Sequence, residues 1–215
     1  HPKASEGAPD VTSPPSVVVV TGVSRYLGAR VAARLATDPR VDRVGGLDPH
    51  EPPTALRELL ADVELIRADA RAASGAIAEL GAEALVHLAV TSAPDAQHGG
   101  RAAMKEQNVI GTMQLLAAAQ GASRLRKLVV RSSTAAYGAS FRDPAVFTED
   151  TEPRAVPRGG FARDILDIEG YVRGFRRRRR ILFLFCRRRA GHGGRSAPRA
   201  GAERRRSGLS ARRAD

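Results

Sequence analysis

Residues 17–35 combine a hydrophobic strand pattern, a glycine turn and an amphipathic helix pattern. Four consecutive valines at residues 17–20 indicate a strand that is buried on both faces. Gly22 and Gly28 bracket the turn, and glycine lets backbone N–H groups approach a phosphate closely. Because the N–H groups at the start of a helix attract anions, the segment predicts the phosphate-binding opening of a dinucleotide fold. A tight turn in an ordinary strand–helix unit would look similar, so the glycines alone leave both interpretations open.

A second residue suited to chemistry, Asp48, ends the strand predicted at residues 41–48. It lies 26 residues after Gly22, near the spacing of about 20 residues at which a carboxylate meets the adenosine ribose hydroxyls. A carboxylate there would repel a 2′-phosphate, so Asp48 favours NAD over NADP. The alternative is that Asp48 and Pro49 simply begin a turn.

Strand and helix patterns alternate along residues 16–175, and this alternation positions the candidate groups. It predicts an α/β fold, a Rossmann-like doubly wound parallel sheet with helices on both faces. Right-handed crossovers place the carboxyl ends of such strands along one edge. The predicted strands are 17–20, 41–48, 63–68, 84–90 and 128–133, and the predicted helices are 27–35, 56–61, 72–80 and 101–120. The loops brought to that edge carry Gly22, Asp48, Asp69, Ala89 and Ser133.

The net charge of +12 is concentrated at one end of the chain. Residues 176–215 hold 15 arginines against Glu203 and Asp215, whereas the other residues hold 20 Lys and Arg against 21 Asp and Glu. The composition predicts a disordered arm at residues 1–15, an NAD(P)-binding domain at 16–175 and a disordered Arg-rich tail at 176–215. Nucleic-acid binding is therefore not expected of the nearly neutral folded part.

Cysteine content and hydropathy indicate the compartment. Cys186 is the one cysteine, which excludes an internal disulfide and fits a reducing environment. The longest apolar run, residues 181–186, is far shorter than the roughly 18 residues of a membrane span. We therefore expect a cytoplasmic protein with no membrane partner, and the sequence predicts no metal site.

Five further motifs follow the glycine turn in an order typical of a known family. They are Asp69-Ala70, His87-Leu88-Ala89-Val90, Asn108-Val109-Ile110-Gly111-Thr112, Ser132-Ser133-Thr134-Ala135-Ala136-Tyr137-Gly138 and Phe147-Thr148-Glu149-Asp150. Together with the turn, they resemble the extended short-chain dehydrogenases/reductases, the NAD-dependent epimerase/dehydratase family that acts on nucleotide sugars and includes UDP-glucose 4-epimerase. The resemblance implies NAD as cofactor. It implies cofactor contacts at Thr21, Gly22, Arg25, Tyr26, Leu27, Gly28, Asp48, Asp69, Ala70, Leu88, Ala89, Val90, Asn108 and Ser132.

Several of these motif residues also have a purely structural interpretation. His87 lies inside a strand and is expected to be a core histidine, Asn108 to tie two backbone segments together, and Tyr137 to shape its loop. Arg25 stands where the family has its middle glycine. There it could weaken cofactor binding, or it could offer its guanidinium to the pyrophosphate.

The family's catalytic helix carries a tyrosine and a lysine four residues apart, assisted by a serine that corresponds here to Ser133. The resemblance places Phe161 and Ile165 at the tyrosine and lysine positions. Phenylalanine has no proton to transfer, and isoleucine has no charge with which to lower the pKa of a partner. Apolar residues recur from these positions at helical spacing, which predicts an ordinary packing face: Phe161, Ile165, Ile168, Val172 and Phe175.

Two functions remain in competition. The chain could be an NAD-dependent enzyme that acts on a nucleotide sugar through an unusual proton relay, or an NAD-binding protein without turnover. The family's C-terminal substrate domain is not recognisable after about residue 175, so we expect a truncated or frame-shifted C-terminus. A weaker alternative is nucleic-acid binding by the Arg-rich tail, which lacks interleaved aromatic residues. The resemblance also implies a homodimer that pairs through helices at 101–120 and 161–175.

Overall fold

A computed structural model describes residues 13–70, 72–96, 99–137, 151, 157–179 and 181–188. Six parallel strands form one sheet in the order β3-β2-β1-β4-β5-β6, which confirms the predicted doubly wound fold. The strands are β1 (Val17–Thr21), β2 (Arg43–Asp48), β3 (Glu64–Arg67), β4 (Ala84–His87), β5 (Lys127–Ser133) and β6 (Leu182–Arg188). The helices are α1 (Tyr26–Ala36), α2 (Thr54–Arg57), α3 (Ala73–Leu80), α4 (Gly100–Lys105), α5 (Gly111–Gln120) and α6 (Gly160–Arg178).

The two faces of the sheet are buried in separate hydrophobic clusters. Alternate valines of β1 point to opposite faces, so that Val18 and Val20 join the cluster on the α1 side and Val19 joins the cluster with α3, α5 and α6. This placement follows from the two-residue period of a strand. The strand order reverses between β1 and β4, which makes their carboxyl ends the topological switch point of the fold.

A π-helical segment, Glu106–Ile110, joins α4 to α5 where the sequence predicts one continuous helix. Such a bulge adds a residue to the helical turn and often marks a functional position. Gln107 and Ile110 of this segment line a cavity, whereas Asn108 is fully buried and points elsewhere. Neighbouring residues of the bulge therefore face different surroundings: Gln107 and Ile110 face the cavity, and Asn108 faces the protein interior.

The folded part extends beyond both boundaries that composition predicts. The boundary at residue 175 falls inside α6, and β6 pairs with β5 along its whole length. Two arginines of the basic run have structural contacts: Arg176 lies 4.8 Å from the ring of Phe183, and Arg179 donates to backbone carbonyls at and after the end of α5. The sheet thus extends to residue 188. Two arginines that composition assigns to a disordered tail, Arg176 and Arg179, form contacts within the domain.

At the amino ends of β1, β4 and β5, Glu83 anchors the beginning of the described chain. It accepts hydrogen bonds from the Ser16 N–H and from Arg124 and Arg126, and Arg126 also donates to the Ser13 carbonyl. Burial raises the pKa of Glu83, but these hydrogen bonds outweigh burial and hold its pKa below the ordinary value. Residues 13–15 are therefore held against the domain, which corrects that end of the predicted arm.

Candidate cofactor site

The glycine turn between β1 and α1 is shaped by two close backbone approaches. Gly22 has a φ of +83°, and a Cβ on it would lie 2.9 Å from the backbone nitrogen of Ala89. A Cβ on Gly28 would collide with the Gly22 carbonyl. Arg25, in contrast, has φ −112° and ψ 152°, an extended conformation open to any residue. The turn therefore keeps its shape although the middle glycine of the family pattern is absent.

The amino end of α1 is available to an anionic group. Arg25 is its N-cap residue, no side chain caps this end, and the first turn contains no acidic residue. The N–H groups of a first helical turn have no partner within the helix and carry partial positive charge. Tyr26 in this turn is 69% exposed, while Leu27 packs toward the core on the α1 side. The arrangement is suited to a phosphate.

Asp48 lies beside this turn at the carboxyl end of β2 and is buried. Its Oδ2 accepts a hydrogen bond from the Ser24 N–H at 3.0 Å, and its Oδ1 accepts one from the His50 N–H at 3.0 Å. The second contact matches the turn-forming interpretation, and the first places the carboxylate next to the glycine turn. The contacts of Asp48 are therefore compatible with both interpretations, the turn-forming one and the ribose-binding one.

A cavity of about 260 Å³ opens at the switch point. It is lined from the sheet by Thr21 and Ala89, from the loop after β3 by Asp69 and Ala70, and from the π-helical segment by Gln107. Four of the residues predicted to contact a cofactor thus lie together. The other ten predicted contacts do not line this cavity. Among them, Leu88 packs into the cluster on the α1 side and Val90 into the other cluster.

His87 lies under the cavity in a chain of hydrogen bonds. Thr21 Oγ1 accepts from the N–H groups of Leu88 and Ala89, so its own proton is directed to Nδ1 of His87 at 2.8 Å. The other ring nitrogen, Nε2, then carries the proton and donates to Thr112 Oγ1 at 2.9 Å. Burial lowers the pKa of His87 to about 4. These contacts support the interpretation of a neutral core histidine.

Asn108 forms a two-way bond with the chain after β4. Its Nδ2 donates to the Thr91 carbonyl at 2.8 Å, and its Oδ1 accepts from the Thr91 N–H at 2.9 Å. The residue has no exposed surface and is absent from the cavity wall. Asn108 thus links two backbone segments, as the structural interpretation of the sequence predicted, and this contact does not support a role in cofactor binding.

The two serines at the end of β5 are both buried, in different surroundings. Ser132 donates to Glu169 Oε1 at 2.6 Å and so links β5 to α6 instead of facing the cavity. Ser133 Oγ accepts a hydrogen bond from the Ala135 N–H at 3.1 Å, which stabilises the 3₁₀ turn Thr134–Tyr137. Tyr137, in this turn, is buried as well.

The positions of the family's catalytic pair lie on the inner face of α6. Ile165 has no exposed surface and belongs to the core, and Phe161 packs against the same cluster. This confirms the predicted packing face. Between them in sequence, Asp164 is fully buried and pairs with Arg101 at 2.7 Å. Sequence reasoning missed this pair, because its members are 63 residues apart and nothing in either motif indicates the contact.

The Arg101–Asp164 pair joins α4 to α6, and Asn108 lies 3.4 Å from the second carboxylate oxygen. Asp164 therefore has its charge matched inside the protein and does not face the cavity. One guanidinium nitrogen of Arg101, Nη1, is buried without a hydrogen-bond partner among the described residues. Gly138, residues 147–150 with their Glu-Asp motif, residues 1–12 and residues 189–215 lie outside the described residues.

The model of the NAD dependent epimerase/dehydratase family matches residues 18–204. Uncharacterised proteins of Mycobacterium tuberculosis and Mycobacterium bovis are 44% identical over 168 residues, which is 77% of this chain and 44% of theirs. The chain thus spans less than half the length of the curated relatives it matches. Among the described helices, none has the length and apolarity that a bilayer crossing requires.

Solved structures share the fold. UDP-glucuronic acid 4-epimerase from Bacillus cereus, in complex with NAD, aligns with a TM-score of 0.63 at 19% identity over 79% of this chain and 55% of its own. The UDP-Glc/GlcNAc 4-epimerase of Campylobacter jejuni aligns with a TM-score of 0.68 at 16% identity over 80% and 53%. A short-chain dehydrogenase/reductase superfamily protein from Agrobacterium tumefaciens with bound NAD has a TM-score of 0.63 at 27% identity over 79% and 48%.

Proposed function

This chain belongs to the NAD dependent epimerase/dehydratase family, and we propose that it binds NAD at the switch point without the hydride-transfer turnover typical of the family. The observation that carries the proposal is the cavity lined by Thr21 at the end of β1, by Asp69 and by the π-helical segment. In an open α/β sheet, this crevice outside the carboxyl ends of the strands is where ligands bind. The missing proton relay at Phe161 and Ile165 supports binding without turnover.

The residues at the crevice fit a dinucleotide. Gly22 and Gly28 let the backbone of the turn pack closely on itself and on Ala89, and the uncapped end of α1 offers N–H groups to a diphosphate. Asp69 and Ala70 lie on the cavity wall, where an adenine would be held. Bound NAD would supply a hydride acceptor, while this chain's residues would hold and orient the dinucleotide.

The choice of NAD over NADP rests on charge at the end of β2. Asp48 places a buried carboxylate there, which disfavours a 2′-phosphate. A neighbouring depression also holds Arg57 and Arg67, but both lie near Glu51, at 3.0 and 3.9 Å. Because that carboxylate offsets their charge, the depression offers little attraction to an added phosphate.

Catalysis on a nucleotide sugar is the alternative function. It would need a proton donor in place of the absent tyrosine, and Ser133 is buried in the turn after β5. Asp164 is enclosed and paired with Arg101, so it does not replace that donor. The discriminating test is incubation of the chain with NAD and UDP-glucose. Neither epimerised sugar nor NADH absorbance is expected, and either product would contradict binding without turnover.

Nucleic-acid binding through the basic run is the weaker alternative. Arg176 and Arg179 are already engaged by Phe183 and by backbone carbonyls, which reduces the charge available to a phosphate backbone. Pairing of two copies through the helices at 101–120 and 161–175 is a further proposal. Met113 and Tyr171 are 41% and 39% exposed there, and light scattering would measure the mass in solution.

The direct test of the proposed function is calorimetric titration with NAD and, separately, with NADP. The chain contains no tryptophan, so intrinsic fluorescence would report poorly. We expect NAD to bind more tightly than NADP, and Asp48→Asn to narrow the difference. Asp62→Asn, an exposed acid away from the crevice, is the matched control and should leave the ratio unchanged. Binding of neither dinucleotide would refute the proposal.

A further inference from the structure

The side chain of Arg25 reaches Gln107, a residue in the wall of the cavity that the proposed function assigns to the dinucleotide. The Arg25 backbone lies on the α1 side of the sheet, as the N-cap residue of α1. Its Nη2 donates to Oε1 of Gln107 at 3.4 Å, and Gln107 lines the cavity on the opposite side. The side chain therefore passes over the carboxyl end of the sheet beside the switch point between β1 and β4.

The guanidinium of Arg25 is weakly held where it lies. Among the described residues it forms no ion pair, and its contact with Gln107 is a long bond to a neutral amide. By contrast, Arg57, Arg101 and Arg126 pair with carboxylates at 2.7 to 3.0 Å. Arg25 is therefore a half-buried cation whose charge is not offset, at the place where a bound anion would lie.

Backbone geometry does not explain the arginine. At φ −112° and ψ 152° this position neither requires nor excludes glycine, so replacing the family's glycine leaves the turn intact. What the substitution adds is a planar fork of donors suited to two phosphate oxygens. On binding a ligand, Arg25 would give up one contact among the described residues, the long hydrogen bond to Gln107.

We propose that Arg25 is a binding residue for the diphosphate of the dinucleotide and leaves Gln107 to pair with it. The inference rests on the proposed function and deepens it by assigning a new cationic contact to the site. The diphosphate is favoured over a 2′-phosphate as the partner because it would lie at the uncapped end of α1, next to Arg25. The ribose end is occupied by the carboxylate of Asp48.

The test compares Arg25→Met with Arg30→Met by calorimetry, using NAD, ADP and NADP as ligands. Arg30 lies on the same helix, is exposed and lines a separate surface groove, so its removal controls for loss of one positive charge. We expect Arg25→Met to weaken NAD and ADP about tenfold or more, as for loss of a hydrogen bond to a charged group. Arg30→Met should change neither affinity appreciably. Arg25→Lys, which keeps the charge but not the fork, should fall between wild type and Arg25→Met.

The other possible results contradict the inference, and each one has a different explanation. Unchanged NAD and ADP affinity in Arg25→Met would refute the role of Arg25 while the proposed function stands. A loss confined to NADP would assign the residue to a 2′-phosphate instead. Equal losses in Arg25→Met and Arg30→Met would show only general electrostatic attraction. Failure of the wild-type chain to bind NAD or ADP would refute the proposed function itself. Thermal unfolding of each variant checks that the fold is intact.

Discussion

At the scale of single residues, the inner face of α6 is made mainly of apolar side chains. Ile165, which the resemblance places at the family's lysine position, has no exposed surface, and Phe161 packs against the same core cluster. Apolar side chains at both positions contribute to the core, where a buried methylene is worth about 0.8 kcal/mol. These two residues therefore serve the packing of the core.

Restoring the lysine tests this interpretation. We expect Ile165→Lys to lower the free energy of unfolding by about 3 kcal/mol or more, because an ammonium would replace an apolar side chain in the core. Urea unfolding measures the change. Tyr171→Lys, on the exposed side of the same helix, is the control and should cost much less. A small effect of Ile165→Lys would show that this position borders the crevice instead of the core.

His87 provides a pH prediction. Burial lowers its pKa to about 4 in the folded state, against an unfolded value of about 6.5. Between these values the unfolded chain binds a proton that the folded chain does not, so stability is complete above pH 6.5 and decreases as the pH falls toward 4. His87 should thus contribute about 2 kcal/mol less stability at pH 5 than at pH 7.

NMR of the imidazole nitrogens at different pH values provides the direct measurement. The His87 ring should remain neutral at pH 5 with its proton on Nε2, as its contacts with Thr21 and Thr112 require. His50, which is 75% exposed at its side chain, is the internal control. Titration of His87 near pH 6.5 would show that the hydrogen-bonded chain does not hold the neutral form.

At the scale of elements, α4, the π-helical segment and α6 are joined by a buried polar cluster. Asp164 pairs with Arg101, and Asn108 contacts both Asp164 and Thr91. The cluster fixes the chain after β4 relative to the two helices. It therefore determines how the π-helical segment presents Gln107 and its neighbours to the cavity.

Removing the cation of this cluster should be costly. Arg101→Met leaves Asp164 with no exposed surface and no cation, so we expect a loss of about 3 kcal/mol in unfolding free energy. The double variant Arg101→Met with Asp164→Leu should recover much of it. Arg163→Met, which breaks the more exposed pair with Asp167 on the same helix, should cost less than about 1 kcal/mol. Equal costs for the two single variants would contradict a special role of the buried pair.

At the scale of the whole molecule, the sheet is completed by a strand from the basic end of the chain. β6 pairs with β5 from Leu182 to Arg188, and α6 leads into it through Arg179, which binds carbonyls around the end of α5. The predicted division at residue 175 would cut this unit. In the part of the chain that the structure describes, the sheet therefore continues to residue 188.

Two deletions test whether β6 belongs to the stable part of the domain. Removing residues 189–215 should leave the unfolding temperature and NAD binding nearly unchanged, because β6 and its contacts remain. Removing residues 176–215 takes away β6 and the Arg179 contacts, so we expect a large loss of stability or failure to fold. Circular dichroism on heating measures both. Equal stability of the two deletions would show that β6 contributes little.

The sequence by itself determined the fold class, the glycine turn after β1 and the core face of α6. These features depend on local patterns: the two-residue period of a strand, the helical spacing from Phe161 to Phe175, and the backbone freedom of Gly22. Strand alternation also placed the ends of β1, β2 and β5 on one edge. Each of these inferences needs only residues close in sequence and general rules of chain connection.

Only the tertiary structure decided the role of individual polar residues. It tied Asn108 to Thr91 and Ser132 to Glu169, paired Arg101 with Asp164, and carried the Arg25 side chain across to Gln107. Their motifs predicted the presence of polar groups but not their partners, which are 17 to 82 residues away. A hydrogen bond or ion pair is set within a few tenths of an ångström by the packing of whole elements. That packing is a property of the assembled sheet and helices, so no local pattern contains it.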